Sequence, residues 1–155
     1  MAKNNKTKIK IYKVDDKLSY LPLLLLADEQ KSMVDRYIEK GAMYVLDHNG
    51  VKAEIVVCDQ GNGVLEIKNL AVDPQFFRQG YGKKMIEFVC KQYKDKFHTV
   101  QVGTGDSPLT VPFYEKCGFK RSHIIKNFFI DNYDHPIYEN GVQLVDMVYF
   151  VKKLK

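Results

Sequence analysis

The sequence predicts an α+β fold, a three-layer sandwich in which a mixed, largely antiparallel sheet of about seven strands carries helices on both faces. Three observations predict it. Asn49-Gly50 and Gly61-Asn62-Gly63 separate short apolar runs, which is the pattern of successive hairpins. Apolar residues recur at helical spacing in two early stretches and in two later ones, with Gly41 and Gly118 at helix ends. Between them, residues 64–93 read as a strand, a glycine turn and an amphipathic helix.

Taken in order, Lys8 to Val14 alternates polar and apolar residues like a half-buried strand. Leu18 to Ala27, with Pro22 in its first turn, and Gln30 to Lys40, with Met33, Val34, Tyr37 and Ile38 on one face, are expected as two short helices. Ala42 to Leu46, Val51 to Cys58 and Val64 to Val72 follow as three strands. The helix after the glycine turn aligns Met85, Ile86, Val89, Cys90 and Tyr93. Thr99 to Val102 is a short strand, and Ser107-Pro108 opens a helix over Leu109 to Cys117. His123 to Ile130 and Val142 to Val151 read as two long closing strands around an acidic, aromatic loop.

At 155 residues and 45% apolar composition, one domain spanning residues 1–155 is expected. The net charge of +5 belongs to the ends. Eight lysines lie before Asp15 or after Asp146, and the remaining 16 bases face 19 acids. Lysine runs confined to the termini point to solvated ends, not to a nucleic-acid partner. Cys58, Cys90 and Cys117 lie far apart in apolar settings, which suits reduced thiols in the cytoplasm. The first residues lack the apolar core of a secretory signal, and Leu21 to Ala27 is too short to cross a membrane. No two of the four histidines have a metal-binding i, i+4 spacing, so no metal is expected.

The join at Val72-Asp73-Pro74-Gln75-Phe76-Phe77-Arg78-Gln79-Gly80-Tyr81-Gly82-Lys83 has the physics of an anion site. Glycines let the backbone approach a ligand, and the first turn of a helix offers unpaired N–H groups and the positive end of its dipole. Two nucleotide motifs fail here. A dinucleotide fingerprint needs glycine where Met85 stands, and a P-loop needs glycine at Phe77 and Ser or Thr at Lys84.

Glu66-Ile67-Lys68-Asn69-Leu70-Ala71-Val72-Asp73-Pro74, then Arg78-Gln79-Gly80-Tyr81-Gly82, then Phe113-Tyr114-Glu115-Lys116-Cys117-Gly118-Phe119, together resemble the GCN5-related N-acetyltransferase (GNAT) superfamily. Gly103 to Ser107 and Asp131 to Asp146 look like a group of small stand-alone bacterial members. The resemblance implies transfer of an acetyl group from acetyl-CoA, as cosubstrate, to a primary amine in a ternary complex. It also implies that Leu70, Ala71 and Val72 face the pantetheine arm, that Phe77, Arg78, Gln79, Gly80, Tyr81, Gly82 and Lys83 surround the pyrophosphate, and that Asp106 or Ser107 stands near the position of the family's usual asparagine. Phe77 departs from the family pattern, where a polar side chain is common, so the pyrophosphate would rest on backbone amides from Arg78 to Gly82.

Acetyl transfer needs a base for an ammonium, a donor for an oxyanion and a proton for the thiolate. Strand alternation sets Glu66 on the face opposite Leu65 and Ile67, and the resemblance makes it the base; an ion-pair partner or a solvated strand residue is the alternative. The resemblance assigns the general acid to Tyr114 and the oxyanion donor to the N–H of Leu70. A helix tyrosine packed on the sheet is the other reading of Tyr114. Asp131, Tyr133, Asp134, His135, Tyr138 and Glu139 lie in the loop that the resemblance places over the acceptor, and carboxylates among aromatics suit a cationic small molecule or peptide amine. Exposed closing strands would suit a homodimer. A non-catalytic acyl-CoA-binding sensor or assembly module is the alternative function.

Overall fold

The structure is a computed structural model that describes residues 7–154, so Lys3, Lys6 and Lys155 of the basic ends lie outside the described residues. The strands are β1 (Lys10–Val14), β2 (Ala42–Asp47), β3 (Val51–Gly61), β4 (Val64–Val72), β5 (Thr99–Gly105), β6 (Lys120–Ile125), β7 (Tyr138–Glu139), β8 (Val142–Gln143) and β9 (Met147–Lys153). The helices are α1 (Leu21–Ala27), α2 (Lys31–Val34), α3 (Tyr81–Tyr93), α4 (Val111–Lys116) and α5 (Phe128–Asn132). Seven strands form one sheet in the order β1-β2-β3-β4-β5-β9-β6, and β7 and β8 form a separate hairpin. Within the large sheet only β4 and β5 run parallel.

Period-two alternation sorts side chains onto two faces. Tyr44, Leu46, Ile55, Val57, Leu65 and Ile67 meet Met85, Ile86 and Val89 of α3 in the larger core. Met43, Val45 and Val56 turn the other way and meet Leu24 of α1 with Val34, Tyr37 and Ile38. Helices thus cover both faces. Asn49 and Gly50 both take positive φ, as the tight hairpin between β2 and β3 requires.

β4 departs from a plain ladder. Val57 pairs with Ile67 and Val56 with Asn69, so Lys68 is an extra residue, a β-bulge. Glu66, Lys68 and Asn69 therefore all turn to the face covered by α1 and α2: Lys68 Nζ lies 5.8 Å from the Tyr37 ring centroid and Asn69 Nδ2 donates to the Leu24 carbonyl at 3.0 Å.

Three expected elements differ. The helix expected over Gln30 to Lys40 is regular only over Lys31–Val34 and continues as turns to Gly41. The strand expected over His123 to Ile130 is β6, which lies earlier, followed by α5. Asn127 takes φ 59° between them, and its N–H donates to Asp146 Oδ1 at 2.9 Å, so the chain reverses instead of extending. The strand expected over Val142 to Val151 is split into β8 and β9, because Leu144 leaves the ladder to fill an apolar cluster with Phe129 and Ile137. That cluster holds α5 and the β7–β8 hairpin together as a flap.

One carboxyl is out of place by ordinary rules. Glu54 on β3 is fully buried, and neither oxygen has a hydrogen-bond partner among the described residues. Burial pushes its pKa well above the usual carboxylate range, with the Ala71 backbone acting against it, so the fold favours its neutral form. The unfolded chain ionises at ordinary glutamate pH while the fold keeps its proton, so stability declines as pH rises through that window. Glu54→Gln should therefore stabilise the protein against denaturant, with a gain larger at pH 8 than at pH 5. An equal gain at both values would show that Glu54 does not hold its proton.

Candidate active site

The site begins where a sheet ladder stops. β4 and β5 pair from Val64↔Thr99 to Ile67↔Val102, and no pair follows although β4 runs on to Val72 and β5 to Gly105. The strands part, leaving backbone amides on their facing edges with no strand partner. A cleft of about 720 Å³ fills the opening. Its lining comes from both sides of the sheet: Leu26 to Glu29 at the end of α1 on one side, and Tyr81, Gly82, Phe113 and Tyr114 on the other. The cleft passes between the strands, through the sheet.

On the α3 side, the cleft meets the glycine turn. Asp73 accepts from the Gln75 N–H at 3.0 Å and starts a single tight turn, Pro74–Phe76. Arg78 and Gly80 then take φ 67° and 81°, which brings the chain into α3 with Gly80 as its N-cap. Gly82 is required for a second reason. A Cβ there would stand 3.0 Å from Phe113 Cζ and 3.6 Å from Val72 Cγ2. Tyr81 anchors the turn from behind through a 2.6 Å hydrogen bond with the His48 ring.

Of the residues expected at the cofactor, Leu70, Ala71, Val72, Phe77, Arg78, Gly80, Tyr81, Gly82 and Lys83 line the cleft. Gln79 and Ser107 are not among the lining residues. Ser107 is buried, accepts from the Leu109 N–H at 3.0 Å and donates to Glu139 Oε1 at 2.8 Å, tying the β7–β8 hairpin to the approach to α4.

Tyr114 lines the same cleft from α4. Its ring packs edge-on against Phe113 and Phe119 and stacks with Phe150. Burial, reinforced by the nearby Cys117, Glu139 and Glu54, pushes its phenol above the usual range, so it remains a proton donor at physiological pH.

Glu66 is 5% exposed and does not line the cleft. Lys68 Nζ donates to it at 2.9 Å, Gln101 Nε2 at 2.6 Å and the Tyr149 hydroxyl at 3.2 Å. It is the ion-pair partner of Lys68, whose side chain does reach the cleft.

The α1 side of the cleft contains a carboxylate that sequence reasoning missed. Asp28, the residue that ends α1, accepts from the Tyr37 hydroxyl on Oδ2 at 3.0 Å and from the Tyr133 hydroxyl on Oδ1 at 2.6 Å. Asn69 donates in turn to the Tyr37 hydroxyl at 2.9 Å. Burial raises the Asp28 pKa, with the two phenols, Lys68 and Arg36 acting against it. No local motif marks Asp28, since its partners are nine and 105 residues away. Of the loop residues expected at an acceptor, Tyr133, Tyr138 and Glu139 line the cleft, whereas Asp131, Asp134 and His135 do not.

Comparison with known proteins agrees with this architecture. The profile of an acetyltransferase (GNAT) domain matches residues 39–121. An uncharacterized N-acetyltransferase, YvbK, from Bacillus subtilis (strain 168) is 37% identical over 129 residues, covering 81% of this chain and 83% of that protein. A GNAT family acetyltransferase from Elizabethkingia anophelis, solved with acetyl-CoA bound, superposes with a TM-score of 0.87 at 35% identity, covering 94% of this chain and 97% of the other. A Bacillus subtilis acetyltransferase in complex with CoA does so with a TM-score of 0.83 at 34% identity, covering 94% and 99%. With a domain match over more than half its length and relatives at this identity, the chain belongs to the GNAT acetyltransferase family.

Proposed function

We propose that the protein is an N-acetyltransferase that moves the acetyl group of acetyl-CoA to a primary amine directly, in a ternary complex. The observation that carries this reading is the parting of β4 from β5 beside the Tyr114 phenol. An extended pantetheine arm fits such an opening as an added strand, taking up amides that β5 leaves free. The pyrophosphate would lie over the first turn of α3, with Arg78 and Lys83 at the same wall. Both reactants then meet inside the sheet, away from bulk water.

In the reaction, the amine nitrogen attacks the thioester carbonyl, its oxygen gains charge, and the carbon–sulfur bond breaks. The Leu70 N–H, on the parted edge of β4, is assigned the oxyanion. Tyr114 is assigned the leaving sulfur, because a phenol kept protonated by burial presents its proton as the thiolate forms. Glu66 is assigned a positioning role as the counterion of Lys68.

Thiol release with acetyl-CoA and a panel of primary amines tests the whole reading, with CoA binding measured beside it by calorimetry. Binding without turnover of any amine would favour a sensor or assembly module. Tyr114→Phe should lower kcat by about 10²–10³-fold while leaving the acetyl-CoA Kd unchanged, in the range usual for a general acid. Wild-type turnover in that variant would remove the acid role. Gly82→Val drives a side chain into Phe113. Overpacking of this kind costs about 1–3 kcal/mol, so CoA affinity should fall about tenfold, each ~1.4 kcal/mol being a factor of ten.

A further inference from the structure

We infer that Asp28 binds the ammonium of the acceptor and takes its proton, and that the acceptor it suits is a primary amine on an apolar body. This rests on the acetyltransfer reading and extends it to a residue and a substrate class.

The cleft is lined by three carboxylic residues, Asp28, Glu29 and Glu139. Glu29 lies 3.0 Å from His135 and Glu139 accepts from Ser107. Asp28 has no cation within 4.0 Å among the described residues; its hydrogen-bond partners are two neutral phenols. Each phenol takes up one lone pair of one oxygen, so both oxygens keep acceptor capacity. Glu66 offers the opposite situation, since Lys68 already neutralises it and would repel a second cation. An ammonium entering the cleft on the α1 side therefore finds its counterion at Asp28.

The surroundings tune Asp28 for proton removal. Tyr37 faces it from the turns after α2, Tyr133 from the segment after α5, Lys68 from β4 and Arg36 from beside Tyr37. Both phenols are pushed above their usual range by burial and remain donors. The carboxyl is raised above the usual aspartate range, which makes its anion a stronger base than a solvated one. In the step itself, the Asp28 carboxylate accepts one proton from the ammonium, and the freed nitrogen pair attacks the carbonyl. As the carbon–sulfur bond breaks, the second proton lost from nitrogen replaces the one Tyr114 gives the thiolate. Asn69 links Tyr37 to β4 one residue before Leu70, so base and oxyanion donor share a frame.

Beyond Asp28 the wall is apolar. Phe129, Ile137 and Leu144 line it, with Met147 beneath and Tyr133 stacked on Phe129 at 5.6 Å. An uncompensated carboxylate above such a surface suits an ammonium carried on an apolar chain or ring.

The test uses 2-phenylethylamine and spermidine as probes, with kcat followed against pH in the wild type, Asp28→Asn, Glu66→Gln and Tyr133→Phe. The wild type should turn over phenylethylamine in preference to spermidine, with kcat falling toward acid through a value above the usual aspartate range. Asp28→Asn should lose about 10²–10⁴-fold in kcat and lose that acidic limb, with acetyl-CoA binding unchanged by calorimetry. Glu66→Gln should keep the limb. Tyr133→Phe removes a donor to the carboxylate and should move the limb to higher pH, which decides the matter if Asp28→Asn fails to fold. A limb retained in Asp28→Asn, lost in Glu66→Gln or unmoved in Tyr133→Phe would overturn the role of Asp28. Preference for spermidine would overturn the substrate class. These outcomes leave acetyl transfer standing, whereas absence of thiol release with every amine would remove the acetyltransfer reading and this assignment with it.

Discussion

The constraint on which the rest depends is the end of pairing between β4 and β5 after Ile67 and Val102. A sheet interior does not tolerate unpaired amides and carbonyls, because a buried polar backbone group without a partner costs as much as a lost hydrogen bond. This chain keeps such groups open at the centre of a seven-stranded sheet, and the surrounding structure prevents them from closing. β5 is held on its far side by seven paired positions on β9, and β4 by eight on β3. Neither strand can move toward the other without breaking a ladder, so the opening is a property of the sheet.

The residues proposed to act are sorted by which side of that opening they occupy. The glycine turn, the first turn of α3 and Tyr114 lie on the side of the larger core, where backbone amides and a buried phenol meet the cleft. Asp28, Lys68 and the α5 flap lie on the other side, where charged groups meet an apolar wall. The two cores on either face of the sheet are therefore also two chemical compartments joined by one passage.

Much of this was legible in the sequence, for identifiable reasons. The hairpins at Asn49-Gly50 and Gly61-Asn62-Gly63 depend on positive φ, which few residues adopt, and the turn at Gly80 and Gly82 couples conformational freedom with close packing. Those are local requirements, and local requirements leave a mark in the residue types. The last third was less legible. His123 to Ile130 has the β-branched and aromatic content of a strand, yet Asn127 reverses it and Phe129 packs into the flap cluster, a choice made by residues 137 and 144. Likewise Ser107 follows its hydroxyl to Glu139. Asp28 had no signal at all, since a carboxylate between two tyrosines exists only after α1 and the flap have met.

The bulge at Lys68 has a consequence for how this protein can change over time. Side chains on a strand alternate with a period of two, so an extra residue exchanges the faces of all that follow unless a bulge absorbs it. With the insertion, Asn69 faces α1 while Leu70 and Val72 fall on the side of the larger core. A descendant whose β4 kept its length but straightened the bulge into a plain ladder would present Asn69 to the wrong compartment and sever the link to Tyr37. Deletion of Lys68 itself would leave Asn69 on its face but strip Glu66 of its counterion, so the bulge and its lysine are kept together.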